Sequence, residues 1–334
     1  TTGFKGAWLS FWLHLLGAKV VGVGLKPEKN FILYKTLGLN KKIKQHFIDI
    51  CNFQKLNSIV KKEKPNIIFH LAAQSIVSLS YKNPRETIET NVLGSANILE
   101  TVRNNNISNL VFITSDKCYL NLDKKTSYKE TDTLGGLDNY SSSKASAETI
   151  FYSYFYSFFK NRYLNLASAR AGNVIGGGDF SKNRLVPDII KAINNNKKLI
   201  IRNPNQIRPW QHVLDPLMGY MCLAEKQYKN KIKDSNNCWN FGPDKKSFKK
   251  VIDIVNYIKK INKFDHNVKI SKHYKETEVL KLNSTKAKKV LGWSSKLSIK
   301  DTLNKTIEWN NLVKKGNSVK KICEDQFVAN LKIK

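Results

Sequence analysis

Short apolar runs alternate with helical patterns over the first two thirds of the chain. The runs at residues 18–25 (AKVVGVGL), 67–72 (IIFHLA), 110–115 (LVFITS) and 164–169 (LNLASA) read as strands. Between them, residues 5–16, 53–62, 84–104 and 140–159 carry helical periodicity. Strands alternating with helices are the signature of βαβ units and a parallel sheet. Past residue 175 the pattern loosens, and Gly176-Gly177-Gly178, Pro187, Pro204, Pro209 and Pro243 mark loops. Two capped helices are expected to close the chain, residues 284–291 after Asn283 with Gly292 behind, and 299–312 after Ser298. Neither an internal repeat nor a low-complexity tract interrupts this order.

The expected fold is α/β: a doubly wound, Rossmann-like parallel sheet followed by a smaller, loop-rich C-terminal lobe that binds substrate. Residues 1–172 form the dinucleotide-binding part and 173–334 mainly the lobe, with parts near 210–245 returning to the first domain. The start is unusual. The chain opens at Thr1 and runs straight into Gly3-x-x-Gly6 and a helix. A dinucleotide-binding fold places a strand and an earlier glycine before this turn, because the phosphates sit between strand end and helix N-terminus. That first strand is missing from the pattern, and a lone GxxG is also compatible with an ordinary turn.

Composition adds limits. The 334 residues are 41% hydrophobic and 10% aromatic, which excludes a wholly disordered chain. No apolar run reaches the length of a membrane span, and no secretory signal is visible, so neither membrane nor export is expected. Five cysteines, Cys51, Cys118, Cys222, Cys238 and Cys323, are odd in number and far apart. They suggest no disulfide framework and no zinc or other metal site, and favour a reducing, cytoplasmic setting. The net charge of +31 points at first to nucleic acid, but 50 of the 57 basic residues are Lys scattered along the chain. Scattered Lys coat a solvated surface, so no specific nucleic-acid partner is expected. The seven Arg are more telling, since Arg170, Arg184, Arg202 and Arg208 fall within 39 residues. Arg is the side chain suited to bidentate phosphate recognition, and this grouping suggests an anionic small molecule.

Two motifs carry chemistry. Tyr140 and Lys144 (YSSSK) stand four residues apart, so both lie on one helix face. An ammonium beside a phenol lowers the phenol's pKa and makes it a usable base. Upstream, Thr114-Ser115-Asp116-Lys117-Cys118-Tyr119 follows an expected strand, where open α/β sheets place their ligands. A solvated turn would also accommodate it.

With Gly3-Phe4-Lys5-Gly6, His70-Leu71-Ala72-Ala73-Gln74 and Thr90-Asn91-Val92, these motifs resemble the extended short-chain dehydrogenase/reductase family. The segments 169–179 (ARAGNVIGGGD) and 201–213 (IRNPNQIRPWQHV), with 239–243 (WNFGP) and 280–283 (LKLN), are similar to its nucleotide-sugar 4,6-dehydratase branch acting on CDP-glucose. The resemblance implies NAD as a tightly held cofactor and CDP-glucose as substrate. It implies a lyase reaction without net redox change, giving CDP-4-keto-6-deoxyglucose for deoxysugar and O-antigen-type polysaccharide biosynthesis, in a homodimer or higher homo-oligomer. Tyr140 would take the 4-hydroxyl proton, assisted by Lys144, and Ser115 would hydrogen-bond the 4-oxygen. Asp116 would protonate the departing 6-hydroxyl, with burial raising its pKa. Lys117 would remove the C5 proton, which requires its uncharged amine.

For the cofactor the resemblance implies Gly3, Gly6, Asp49, Ile50, Ala72, Ala73, Gln74, Asn91, Thr114, Tyr140 and Lys144. For the substrate it implies Gln74, Asn173, Arg184, Arg202 and Arg208. The run Gly24-Leu25-Lys26-Pro27 lacks the acid that usually binds the adenosine ribose, and Lys26 is also compatible with a 2′-phosphate. His212, Trp210 and the aromatic run 151–159 read as structural, the run as core or dimer face. Asn283, where an Asp is usual in the family, reads as a cap. Without its first strand the 334-residue chain is expected to be unstable or to bind NAD poorly. Three other readings stay open: another epimerase or dehydratase of the same fold, an inactive remnant acting only as a binding protein, and non-specific polyanion binding. The Asp116-Lys117 pair argues against an epimerase, which needs no group at C5 or C6.

Overall fold

The computed structural model describes residues 1–27, 32–123, 125–160, 165–230, 232, 237–269 and 277–333. Six parallel strands form its centre: β1 Val21–Gly24, β2 Lys44–Phe47, β3 Ile68–His70, β4 Asn109–Ile113, β5 Asn165–Ala171 and β6 Cys238–Phe241. Strands β1 and β2 pair with each other, and the other four form a sheet in the order β6-β5-β4-β3. The expected strand at 164–169 corresponds to β5, with Leu164 outside the described residues. Two strands have no counterpart in the sequence reading. The residues of β2, Lys44-Gln45-His46-Phe47, form no apolar run, and β6 is four residues long with Asn240 inside it.

Successive side chains of a strand point to opposite faces, and both faces here are covered. Leu110, Phe112 and Leu166 pack with Leu56, Leu99 and the stripe Phe151, Phe155 and Phe159. Val111, Ile113, Ala167, Ala169 and Ala171 pack on the other side, with Trp8, Phe11 and Trp12 of the helix Phe4–Leu15 and Leu217 and Tyr220 of the helix Leu214–Tyr228. The sheet is therefore doubly wound. A third core, including Val186, Ile189, Ile254, Ile258, Leu303 and Ile307, belongs to the lobe. The aromatic run divides by periodicity. Its i, i+4, i+8 members are core, while Tyr156 and Phe158 are 51% and 41% exposed.

Three loop or boundary expectations change. Pro187 lies inside the helix Leu185–Asn194 rather than in a loop. It sits in the first turn, whose N–H groups have no intrahelical acceptor, so the ring removes nothing there. Pro209 ends a short strand, Ile207–Pro209, in an antiparallel two-stranded ribbon with Phe248–Lys250, a setting that tolerates proline. The chain closes not on Ile299–Lys314 but on a further helix, Val319–Lys332, capped by Ser318. Phe327 of that helix packs edge-on against Trp8 and tilted against Phe11 and Trp12, with ring centroids 5.3, 5.9 and 4.7 Å apart. A domain division at residue 173 assigns this helix to the lobe, yet it covers the apolar face of the first helix. The expected cap at Ser298 forms, accepting from Asp301 N. Ser284 rather than Asn283 is the N-cap of the preceding helix, its carbonyl taking Lys288 N, while Asn283 accepts from Thr285 N in the turn before it.

Candidate active site

A cleft of about 830 Å³ opens at the C-terminal ends of β1, β3, β4 and β5. This is where a sheet of this type holds ligands. Thr114 follows β4, its N–H bonded to Ala169 O at 2.9 Å. Ser115 then caps a short helical turn, Asp116–Cys118, accepting from Lys117 N at 3.2 Å and donating to Asp116 Oδ1 at 3.0 Å. Asp116 is only 2% exposed. Burial pushes its carboxyl up, against the opposing charges of Lys117, Arg208 and Lys5 and the Ser115 hydrogen bond. Its Oδ2 lies where a Cβ on Gly172 would approach to 3.0 Å, so only glycine leaves that space.

Tyr140 enters from the first turn of the helix Asn139–Tyr154, whose N-cap Asp138 accepts from Ser141 N at 3.0 Å. Lys144 follows one turn later, its Nζ 6.0 Å from the Tyr140 ring centroid. The expected lowering of the phenol by Lys144 is not what the structure has. Burial pushes Tyr140 up to about 12, and the opposing influences are Arg184 and a hydrogen bond from Ser115. Lys144 is itself pushed down to about 8 by burial, with Cys118 and Glu148 pulling it back.

The cleft is lined by Gly3, Gly6, Asp49, Ile50, Ala72, Ala73, Gln74, Thr114, Ser115, Asp116, Lys117, Tyr140, Asn173, Arg184, Arg202 and Arg208. Asn91 and Lys144 do not line it. Asn91 is fully buried and braces the cleft from behind, accepting from Gln74 N at 2.8 Å and donating to Gln74 O and Ser143 Oγ at 2.9 Å. Gln74 turns its side chain inward, donating to Thr87 Oγ1 at 2.9 Å and accepting from Ile76 N at 2.5 Å. Arg170 departs furthest from expectation: its side chain is fully buried and paired with Glu148 at 2.7 Å. It is a core residue, neutralised by a carboxylate that no sequence spacing reveals. Arg184 donates to Ser75 Oγ at 2.9 Å and pairs with Asp179 at 3.4 Å. Arg208 donates to the carbonyls of Ile207, Glu278 and Thr277 and to Gln206 Oε1. Arg202 donates to Asn183 O at 3.2 Å.

His212 is fully buried, its Nδ1 accepting from Leu214 N at 3.4 Å, while Trp210 donates to Lys249 O at 3.0 Å and also lines the cleft. Lys5 is a cleft residue the sequence reading passed over. It extends from the first turn of the helix Phe4–Leu15, its Nζ 6.0 Å from the Tyr220 ring centroid. Burial, with Lys144 and Arg184 nearby, pushes it down to about 7. A cation inside a GxxG turn was the available signal. The five cysteines are free thiols, and among the described residues no group of three or more His, Cys, Asp or Glu is placed to hold a metal.

The residues fit a dinucleotide at its diphosphate. The N-terminus of the helix Phe4–Leu15 faces the cleft with Gly3 as N-cap, no side-chain cap and no acidic residue in the first turn. A Cβ built on Gly3 meets nothing within 4 Å, so phosphate oxygens have open access to the positive helix end. At the far end, Leu25 and Lys26 stand where a ribose-binding acid would be expected.

A two-faced parallel sheet with these groups at its strand ends defines an extended short-chain dehydrogenase/reductase. Within that class the chain belongs to the GDP-mannose 4,6-dehydratase family, whose profile matches residues 1–306. It is 42% identical to a CDP-glucose 4,6-dehydratase of Salmonella typhimurium over 336 residues, covering 98% of this chain and 93% of that protein. Among solved structures it is similar to a UDP-glucose 4-epimerase of Thermotoga maritima with UDP-glucose. That match has a TM-score of 0.82 and 21% identity, and covers 94% of this chain and 97% of the other. A dTDP-glucose 4,6-dehydratase of Bacillus anthracis in complex with NAD matches with a TM-score of 0.78 and 22% identity, over 96% and 97% of the two chains. At these identities the two structures speak for the fold.

Proposed function

We propose that this protein is a lyase that converts CDP-glucose into CDP-4-keto-6-deoxyglucose. The observation that carries the proposal is the 42% identity to the Salmonella enzyme across nearly the whole chain. The cleft supports it by gathering Ser115, Asp116, Lys117 and Tyr140 at adjoining strand and helix ends. NAD, when bound, would supply the acceptor for the C4 hydride and return it to C6. Gly3, Gly6, Asp49, Ile50, Ala72, Ala73 and Thr114 would hold it.

Tyr140 takes the 4-hydroxyl proton, with Ser115 hydrogen-bonded to the phenol and the charge of Arg184 favouring the phenolate. A ketone at C4 makes the C5 proton acidic, and Lys117 removes that proton as a neutral amine. Asp116, whose carboxyl burial favours in the protonated form, gives its proton to the departing 6-hydroxyl. Asn173, Arg184, Arg202 and Arg208 bind the cytidine diphosphate, Arg208 through its positive charge, its Nη hydrogens being held by Ile207 O, Glu278 O, Thr277 O and Gln206 Oε1. No described helix is long and apolar enough to cross a membrane. The setting we propose is the cytoplasm, and the assembly a homodimer through the partly exposed Ile88, Leu93, Tyr156 and Phe158.

Incubated with CDP-glucose and NAD, the protein should yield a 4-keto product, seen by its alkaline absorbance, without accumulating NADH. Stoichiometric NADH release would identify a simple dehydrogenase instead. Lys117→Met should bind CDP-glucose normally and stop exchange of the C5 proton with deuterated water. Exchange at the wild-type rate would remove Lys117 as the base.

A further inference from the structure

Glu148 and Arg170 are both fully buried, and neither lines the cleft. Glu148 lies one turn beyond Lys144 on the Tyr140 helix, and Arg170 is in β5. Glu148 Oε1 accepts from Thr114 Oγ1, and Oε2 accepts from Ser168 Oγ at 2.9 Å and Arg170 Nη2 at 2.7 Å. Arg170 Nη1 donates to Tyr119 Oη at 2.9 Å and Glu130 O at 3.2 Å. Tyr119 in turn donates to Asn240 Oδ1 at 2.7 Å, and Asn240 Nδ2 reaches the carbonyls of Tyr128 and Asn283 at 3.0 and 3.2 Å. One ion pair is thus joined to Thr114 and to Tyr119, the two residues that flank Ser115-Asp116-Lys117-Cys118.

A buried ion pair is often no more stabilising than apolar side chains of the same volume, so stability alone gives little reason for this one. We propose that Glu148 and Arg170 are positioning residues that clamp both ends of the 114–119 segment. Resting on the reading of Ser115, Asp116 and Lys117 as catalytic groups, the proposal makes this clamp what sets their place in the cleft. Two anchors five residues apart leave the turn little freedom to slide along the strand end, and the carboxylate also supports the charge of Lys144.

Arg170→Met alone strands Glu148 without its counter-ion and is expected to destabilise the chain strongly, so the informative protein is the double variant Glu148→Met/Arg170→Met. It should still melt cooperatively. Its kcat for CDP-glucose should fall at least about tenfold with KM within about twofold, while amide hydrogen exchange at residues 114–119 speeds up at least about tenfold. Wild-type exchange at those amides would overturn the clamp whatever the activity does, and so would a change confined to KM. A wild-type protein that does not turn over CDP-glucose would remove the proposed function but leave the exchange comparison able to decide the clamp.

Discussion

The two walls of the cleft are built differently. On the strand-end wall, the chemistry rides on the end of β4 and the first turn of the Tyr140 helix, with apolar packing beneath both and Glu148 and Arg170 behind. On the lobe wall, Arg184, Arg202 and Arg208 stand on loops and short strands, held by Ser75, Asn183, Gln206 and backbone carbonyls, with one looser carboxylate contact, Asp179 at 3.4 Å from the partly exposed Arg184. Carbonyl and amide oxygens fix a guanidinium's place without cancelling its charge. A carboxylate at 2.7 Å, as at Arg170, does cancel it. The same residue type thus locks a turn on one wall and presents charge to a ligand on the other.

The largest test of that contrast is stability. Arg170→Met leaves a buried, unpaired carboxylate and should cost about 3–5 kcal/mol by chemical denaturation. Arg202→Met, which gives up a bond to one carbonyl, should stay within about 0.5 kcal/mol. Equal losses would dissolve the distinction. Gly172 lies where the walls meet, since a Cβ there would stand 3.0 Å from Asp116 Oδ2 and 2.6 Å from Pro209 Cγ. Gly172→Ala should cost about 1–3 kcal/mol of stability and reduce kcat more than it raises KM. A silent substitution would mean the walls are free to part.

Each region also holds one buried histidine, His70 in β3 and His212 in a short strand, Gln211–His212, of the lobe side. Burial pushes both down to about 3. The unfolded chain therefore binds more protons than the folded one between pH 3 and the ordinary 6.5, and stability is lost as pH falls through that window. Asp116, Asp188 and Asp215, raised by burial, work in the opposite sense. Comparing wild type with His212→Gln isolates one histidine, and the variant should lose about 2 kcal/mol less between pH 7 and 5. The smallest effect should be Arg208→Lys, which keeps the charge but not the bonds to Ile207 O, Glu278 O, Thr277 O and Gln206 Oε1 that fix its place. Its KM for CDP-glucose should rise about tenfold with kcat little changed. An unchanged KM would take Arg208 out of the substrate site.

Much of the strand-end wall was legible in the chain. The run ending at Ser115, the spacing of Tyr140 and Lys144, and the cap at Ser298 depend on neighbours a few residues away. Local pattern therefore determined that a polar turn follows a buried strand and that a Tyr–Lys face follows it. Tertiary structure decided which charges those elements would meet. Arg170 looked like a phosphate ligand until β5 carried it against Glu148, and Asn91 and Gln74 spent their polar atoms on each other and on the helices behind them. Lys5 became a cleft residue only because its helix packs beneath the sheet, and Val319–Lys332 found its place only because Trp8, Phe11 and Trp12 needed cover. Periodicity is a property of adjacent residues. The partner that satisfies or neutralises a charge, and the water removed around it, come from segments far apart in sequence that only folding brings together.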